Sequence, residues 1–113
     1  MAIKDSNLTI MIKDMNRSIS FYQSIGFTVK NQWGEHYAQM TAPGITLGLH
    51  PSNESFSGSG NLSIGLTTEN FQDTKEMLQK LSIDYTERNE DGGQFIHFKD
   101  PDGSELYFIN PKW

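Results

Sequence analysis

The sequence contains no cysteine. Disulfide bonds, thiolate catalysis and cysteine-ligated zinc are therefore excluded. No run of lysine and arginine occurs, and the formal net charge is −5, so nucleic acid is not an expected partner. No apolar run approaches membrane-spanning length, and the first seven residues lack the apolar stretch of a signal peptide. The sequence thus predicts a cytoplasmic protein without membrane association.

Glycine and aromatic residues are, by contrast, well represented. The chain has 10 glycines, and 12% of its residues are aromatic. Together with many Thr, Ser and Asn residues, this composition favours a strand-rich fold with many turns. A chain of 113 residues forms one compact domain with a substantial core. The acidic balance weakly favours cationic ligands over anionic ones.

The chain repeats itself at about half its length. The segments NLTIMI and NLSIGL begin at positions 7 and 61, which are 54 residues apart. A six-residue match is weak evidence alone, but each segment is followed by a helix pattern and three strand patterns. Duplication is therefore the better interpretation. It predicts one module at about residues 7–50, a linker at 51–60 (PSNESFSGSG) and a second module at about 61–110.

The first module is predicted to be βαβββ. Asn7–Lys13 alternates between apolar and polar residues, as a half-buried strand does. Asp14 is a suitable N-cap for a helix over Met15–Ser24, and Gly26 a suitable residue to end it. The predicted strands that follow are Phe27–Trp33, His36–Thr41 and Ile45–His50.

The second module repeats this order. Its helix is predicted to begin after Thr68 or Asn70 and to run to about Leu81. The predicted buried stripe of that helix is Phe71, Thr74, Leu78 and Leu81. The predicted strands are Asn61–Thr67, Ile83–Arg88, Gln94–Lys99 and Glu105–Asn110.

Two segments carry a family resemblance. IKDMNRSISFYQSIGF (12–27) and FKDPDGSELYFIN (98–110) resemble the opening and the closing turn of modules in the vicinal-oxygen-chelate superfamily of glyoxalases, bleomycin resistance proteins and extradiol dioxygenases. The resemblance covers nearly the whole chain. It implies an α+β fold, a single domain over 1–113. In that fold two βαβββ modules pair into an eight-stranded, cupped sheet assembly with helices on the convex side. It also implies a homodimer, with the modules paired within one chain or exchanged between two.

The resemblance also locates the positions of metal ligands in metal-using members. A His or Gln opens each module and a Glu closes it. In this sequence the four positions are Asn7, Gly48, Asn61 and Tyr107. Glycine supplies no side chain, and Asn and neutral Tyr are poor ligands, so no metal or other cofactor is predicted. His50 and Glu105 lie two positions away on the same faces. Such a shift is about 6.6 Å along a strand, so they are not expected to meet at one ion.

The candidate site residues follow from the same positions. The predicted ligand-binding set is Asn7, Thr9, Gly48, His50, Asn61, Ser63, Glu105 and Tyr107. Gly48 and Gly65 are expected either to enlarge a cavity or to allow close approach of a ligand, with Met11 and Met40 as adaptable lining. Tyr107 is either a filler of the empty metal space or a stacking wall with a phenol donor. His36 and His97 are each either structural or titrating pocket residues.

The favoured function is a metal-free small-molecule-binding protein that resembles bleomycin resistance proteins. Its ligand is expected to be small and either cationic or aromatic. One alternative is a lyase, isomerase or dioxygenase that uses a non-standard metal site, or His50, His97 or Glu105 as acid and base. Another is a module without a ligand, whose sheets only mediate dimerisation. No catalytic residue is predicted, because a fold shared by many chemistries does not decide function.

Overall fold

The computed structural model describes residues 2–53, 58, 60, 62–90 and 92–111. It divides into two compact units, residues 1–56 and 57–113. Each unit holds one four-stranded sheet and one helix, and its elements follow the predicted order βαβββ. The predicted site residue Asn61 lies outside the described residues.

Unit 1 is a sheet with strand order β1-β4-β3-β2. Strand β1 runs parallel to β4, whereas β2, β3 and β4 form an antiparallel meander. Parallel neighbours need a long crossover, and here it comprises the helix and the two strands between β1 and β4. The elements are β1 (Leu8–Ile12), α1 (Met15–Ser24), β2 (Thr28–Trp33), β3 (Tyr37–Ala42) and β4 (Ile45–Pro51).

One face of this sheet packs beneath α1. The sheet residues on that face are almost fully buried: Ile10, Ile12, Ala38, Met40, Leu47 and Leu49. Met15, Ile19 and Tyr22 supply the buried stripe of α1, as the spacing predicts. Met40 therefore belongs to the core, and its predicted role in a pocket lining is wrong. The two sides of β3 explain the error, because Met40 points to the same side as buried Ala38.

Both ends of α1 match the sequence signals. The Asp14 carboxylate accepts a hydrogen bond from the Arg17 amide at 3.0 Å, which satisfies an otherwise free donor of the first turn. Gly26 has φ of +115°. The Phe27 amide donates to the Tyr22 carbonyl at 2.9 Å, which closes the helix.

Unit 2 repeats the topology with strand order β5-β8-β7-β6. Its helix is capped by Asn70, the second of the two predicted caps, whose side chain accepts from the Asp73 amide at 2.9 Å. Leu81 lies beyond the last helical turn and is 39% exposed, so it is not part of the buried stripe. The elements are β5 (Ser63–Thr67), α2 (Phe71–Lys80), β6 (Tyr85–Glu90), β7 (Gly93–Lys99) and β8 (Glu105–Pro111).

Strand β6 begins two residues later than the sequence predicts. Ser82 has φ of +57°, and the Ile83 amide donates to the Leu78 carbonyl at 2.9 Å. This is the bond that closes α1 in unit 1, with serine in the position of Gly26. Ile83 is consequently the end of the helix cap rather than the first strand residue.

The turn before β8 is closed by a buried carboxylate. Asp100 accepts hydrogen bonds from the amides of Asp102 and Ser104 at 2.9 and 2.8 Å. The Ser104 hydroxyl is also buried, but it has no hydrogen-bond partner among the described residues. The two side chains thus contribute to stability in opposite ways.

Alanine substitution of these two residues is expected to give different results. Asp100→Ala leaves two backbone donors without their acceptor, which costs about 1–3 kcal/mol. Ser104→Ala removes an unpaired buried hydroxyl, so it is expected to leave stability unchanged or to raise it by up to about 1 kcal/mol. Urea denaturation of both variants measures the difference. Equal destabilisation by the two would show that Ser104 has a bonding role.

Candidate ligand-binding faces

The open face of unit 1, defined as the sheet side opposite α1, carries a cluster of polar groups. The side-chain amide of Asn7 donates to Thr9 Oγ1 at 3.1 Å and to the Tyr37 hydroxyl at 3.2 Å. Thr9 Oγ1 and the Tyr37 hydroxyl are 3.3 Å apart. Strand alternation places Thr9 here because Ile10 and Ile12 take the helix side.

This cluster lies over Gly48. A methyl group at Gly48 would overlap the Tyr37 hydroxyl and Thr9 Oγ1. The glycine is therefore required by the close approach of these two side chains. The prediction that Gly48 enlarges a cavity is wrong, because the tyrosine hydroxyl and the threonine occupy the space.

The open face of unit 2, the side opposite α2, repeats the arrangement with different strands. The hydroxyl end of the Tyr107 ring lies over Gly65, its parallel partner on β5. A methyl group at Gly65 would overlap the ring. The predicted enlarged cavity at Gly65 is wrong for the same reason. The ring of Tyr107 thus fills the space over Gly65, and its hydroxyl has no hydrogen-bond partner among the described residues.

The strand register changes which positions correspond between the units. Thr9 pairs with Gly48 and Met11 with His50, whereas Ser63 pairs with Glu105 and Gly65 with Tyr107. Since Thr9 and Met11 are the repeat counterparts of Ser63 and Gly65, His50 corresponds to Tyr107. Gly48 corresponds to Glu105. The predicted match of Gly48 with Tyr107 is wrong by two residues.

A histidine and a tyrosine stand side by side on each open face, with their places exchanged. In unit 1, Tyr37 on β3 lies beside His50 on β4, with ring centroids 6.5 Å apart. In unit 2, His97 on β7 lies beside Tyr107 on β8 at 5.8 Å. His97 therefore projects from the open face rather than into the core. His36, by contrast, is an exposed turn residue whose amide donates to the Trp33 carbonyl.

A third ring joins each pair, which gives a row across β2, β3 and β4 in unit 1 and a triangular cluster on β7 and β8 in unit 2. Trp33 lies 5.6 Å from Tyr37 at an interplanar angle of 31°. Phe95 lies 6.0 Å from both His97 and Tyr107, and it is nearly parallel to His97 at 16°. Phe95 and His97 are two positions apart on β7, and this spacing is the sequence signal that both rings lie on one face. The sequence prediction did not include Phe95 among the site residues.

The polar side chains around the rings differ in charge between the two open faces. In unit 1 the side-chain amide of Asn31 donates to the side-chain oxygen of Gln39 at 3.1 Å. In unit 2, Arg88 pairs with Phe95, and the predicted site residue Glu105 pairs with both Lys99 and Ser63 in the strand register. One open face is thus bordered by amides and the other by charged side chains.

The donor set does not fit a divalent metal. Asn7 is bonded to Thr9 and Tyr37, and the Tyr107 phenol lies over a glycine. With His50 in place of Gly48 as the counterpart of Tyr107, the four ligand positions are Asn7, His50, Asn61 and Tyr107. His50 is the only imidazole among these four. In the described ranges, no three His, Cys, Asp or Glu side chains are grouped as a metal site requires.

Comparison with known proteins agrees with this architecture. The family model described as the glyoxalase/bleomycin resistance protein/dioxygenase superfamily matches residues 6–108. The chain belongs to this superfamily. The match begins before β1 and ends within β8, so it includes both βαβββ repeats. Among the described residues, no helix is long and apolar enough to cross a membrane.

Solved structures of this fold include resistance proteins. The fosfomycin resistance protein FosX from Listeria monocytogenes is 18% identical with a TM-score of 0.80, covering 99% of this chain and 94% of that chain. The bleomycin resistance determinant encoded on transposon Tn5 is 15% identical with a TM-score of 0.76, covering 98% and 100%. A virulence protein from Salmonella typhimurium is 19% identical with a TM-score of 0.70, covering 98% and 99%. At these identities the likeness establishes the fold.

Proposed function

We propose that this superfamily member binds a small organic molecule without a metal ion. The proposal rests mainly on the two tyrosine–glycine contacts. Tyr37 lies over Gly48 and Tyr107 over Gly65, so phenol groups stand on both open faces near the positions where metal-using members hold ligands. A phenol at neutral pH is a hydrogen-bond donor and a poor metal ligand.

The rings on the open faces suit a ligand with a flat or apolar face. The unit 2 cluster combines the rings of Phe95, His97 and Tyr107, and the rings of Phe95 and His97 are nearly parallel. The Tyr107 hydroxyl, which has no hydrogen-bond partner among the described residues, adds a polar group that can orient a ligand. Such a combination of aromatic surface and few polar groups is typical of small-molecule sites.

The names of the structural neighbours support the same class. One neighbour is named for resistance to bleomycin, and another structure is of FosX in complex with Mn(II) and a dihydroxypropylphosphonic acid. Of these two precedents, the donor set of this chain favours metal-free binding. We further propose a cytoplasmic homodimer as the working form, in agreement with the sequence expectation.

The test combines metal analysis with ligand titration. Protein purified without chelator is expected to contain no stoichiometric metal. Calorimetric titration with Ni, Mn, Fe(II) and Zn is expected to give no dissociation constant below about 1 mM. Flat aromatic compounds are then titrated in the presence of EDTA, and their binding is expected to be saturable. Phe95→Leu is expected to weaken it about tenfold, since the aromatic ring is lost while apolar bulk remains.

The matched control is Tyr85→Leu. Tyr85 is an aromatic residue on neighbouring strand β6, but its hydroxyl accepts a hydrogen bond from Gln79 of α2, so it faces the helix side. This variant is expected to bind as the wild type does. Stoichiometric metal that is lost in His50→Ala or Glu105→Ala would overturn the proposal and favour a glyoxalase- or dioxygenase-like enzyme.

A further inference from the structure

The open face of unit 1 is organised in three rungs that cross its sheet. The first rung consists of hydroxyl residues, the second mainly of amides and the third mainly of rings. Across the strands in register the first is Thr28, Thr41 and Thr46; the second is Asn31, Gln39, Gly48 and Thr9; the third is Trp33, Tyr37, His50 and Met11. The three rungs therefore present different groups to a ligand: hydroxyls, then two amides beside a hydroxyl, then three rings.

No Asp, Glu or Arg occupies a strand position of this face, all of which lies within residues 2–53 of the described chain. The one lysine in β2 is Lys30, at the bulge between Val29 and Asn31. Its ammonium group is 3.2 Å from Asp5. The Ser6 amide and then Lys30 lower the pKa of Asp5, so the carboxylate stays charged and the pair carries no net charge. A charged ligand would lose hydration here without meeting an opposite charge.

The amides are already oriented by their mutual hydrogen bond. The Asn31 amide nitrogen donates to the Gln39 oxygen at 3.1 Å. This bond leaves the Asn31 oxygen as an acceptor and the Gln39 nitrogen as a donor, both without a partner among the described residues. A purely apolar ligand would cover these groups and leave them unpaired, at a cost in affinity.

The ring rung provides a platform beside the amides. Trp33 is 52% exposed, and its ring is tilted by only 31° from that of Tyr37. An aromatic platform suits a flat C–H surface, and neighbouring neutral donors and acceptors suit hydroxyl groups. A saturated sugar ring has both, since its C–H bonds form an apolar face and its hydroxyl groups surround the rim.

We infer that the open face of unit 1 binds an uncharged, hydroxyl-rich ring of the pyranose type. This inference rests on the proposed function and names the ligand class for one face. It departs from the cationic ligand that net charge alone favours, because no carboxylate occupies a strand position of this face although the whole chain carries −5. Trp33 and Gln39 are then specificity-determining residues.

Trp33 supplies its own signal for the test. In a Trp113→Phe background it is the only tryptophan, because the chain has two. Its fluorescence is followed while neutral methyl pyranosides of glucose, galactose and mannose are added, alongside glucosamine and glucuronate. At least one neutral sugar is expected to bind saturably at about 1 mM. The charged sugars of similar shape are expected to bind at least about fivefold more weakly, because their charge is desolvated without a partner.

Gln39→Glu provides the matched substitution, with Gln32→Glu as its control. Both glutamines lie on the β2–β3 pair, but Gln32 pairs with buried Ala38 and so takes the helix side of the sheet. Gln39→Glu is expected to weaken binding of the neutral sugar about tenfold, because the amide donor is lost. Gln32→Glu is expected to have no effect. Trp33→Leu, followed by calorimetry, is expected to abolish measurable binding.

The outcomes separate this inference from the proposed function. Equal or tighter binding of a charged sugar, or an equal loss in Gln32→Glu, would overturn the sugar assignment. The sugar assignment would also be overturned if no neutral sugar bound while aromatic compounds still bound in a Phe95-dependent way. That result would leave the proposal of metal-free binding intact. Sugar binding that requires an added divalent metal would overturn the proposed function instead.

Discussion

A Gly65→Ala variant is expected to be about 1–3 kcal/mol less stable than the wild type. On backbone grounds the substitution should stabilise a strand, because alanine has less conformational entropy to lose on folding. The net change in stability is nevertheless expected to be a loss, because the added methyl overlaps the ring of Tyr107. Urea denaturation measures the change, and metal-free binding of aromatic ligands is expected to weaken with it as the ring is displaced.

A double-mutant cycle identifies Tyr107 as the cause. In a Tyr107→Ser background no ring lies over position 65, so Gly65→Ala is expected to cost less than about 0.5 kcal/mol there. The difference between the two backgrounds is the coupling energy of the contact. An undiminished cost in the serine background would show that the glycine is required for another reason. In unit 1 a Tyr37→Ser background is expected to relieve only part of the cost of Gly48→Ala, because the added methyl still overlaps Thr9 Oγ1.

Tyr22→Ala is expected to have the largest effect on stability in the chain, about 3–5 kcal/mol. Tyr22 is fully buried, and its ring meets those of Phe21 and Phe27 edge to face at 5.2 and 5.3 Å. Its removal leaves a cavity between α1 and the sheet. Because a domain is stabilised by only about 5–15 kcal/mol, unit 1 is expected to be close to unfolding.

The measurement is urea denaturation followed by far-UV circular dichroism, which reports on the secondary structure of both units. Tyr85→Ala is the control, because Tyr85 is partly exposed and contributes a single side-chain hydrogen bond to Gln79. Its expected cost is about 1 kcal/mol. A similar cost for the two substitutions would contradict the assignment of Tyr22 as the central residue of the unit 1 core.

Local patterns were sufficient for the elements of the fold. The Asp14 cap and Gly26 stop bounded α1 correctly because helix ends depend on neighbouring residues in the chain. The start of β6 was misplaced because serine, rather than glycine, adopts the positive φ at Ser82. That conformation is uncommon for serine, so the pattern of residue types did not indicate it.

The two glycines show where local patterns fail. Gly48 and Gly65 were read as open space because a glycine has no side chain of its own. What fills that space comes from other strands, namely Tyr37 on β3 and Tyr107 on β8. Alternation predicts the face on which a residue lies, but it does not predict how far a long side chain reaches across its neighbours.

The sequence by itself determined the duplication, the order of elements, the superfamily and the faces on which Asn7, Thr9, His50 and Tyr107 lie. The superfamily followed from the resemblance of two segments. The other properties follow from spacing along the chain, because backbone geometry fixes the periods of helices and strands. Only the tertiary structure decided that His50 is the counterpart of Tyr107 and that three rings come together on each open face. Both depend on the pairing of strands distant in sequence, because a shift of two residues keeps every side chain on its face while changing all its neighbours.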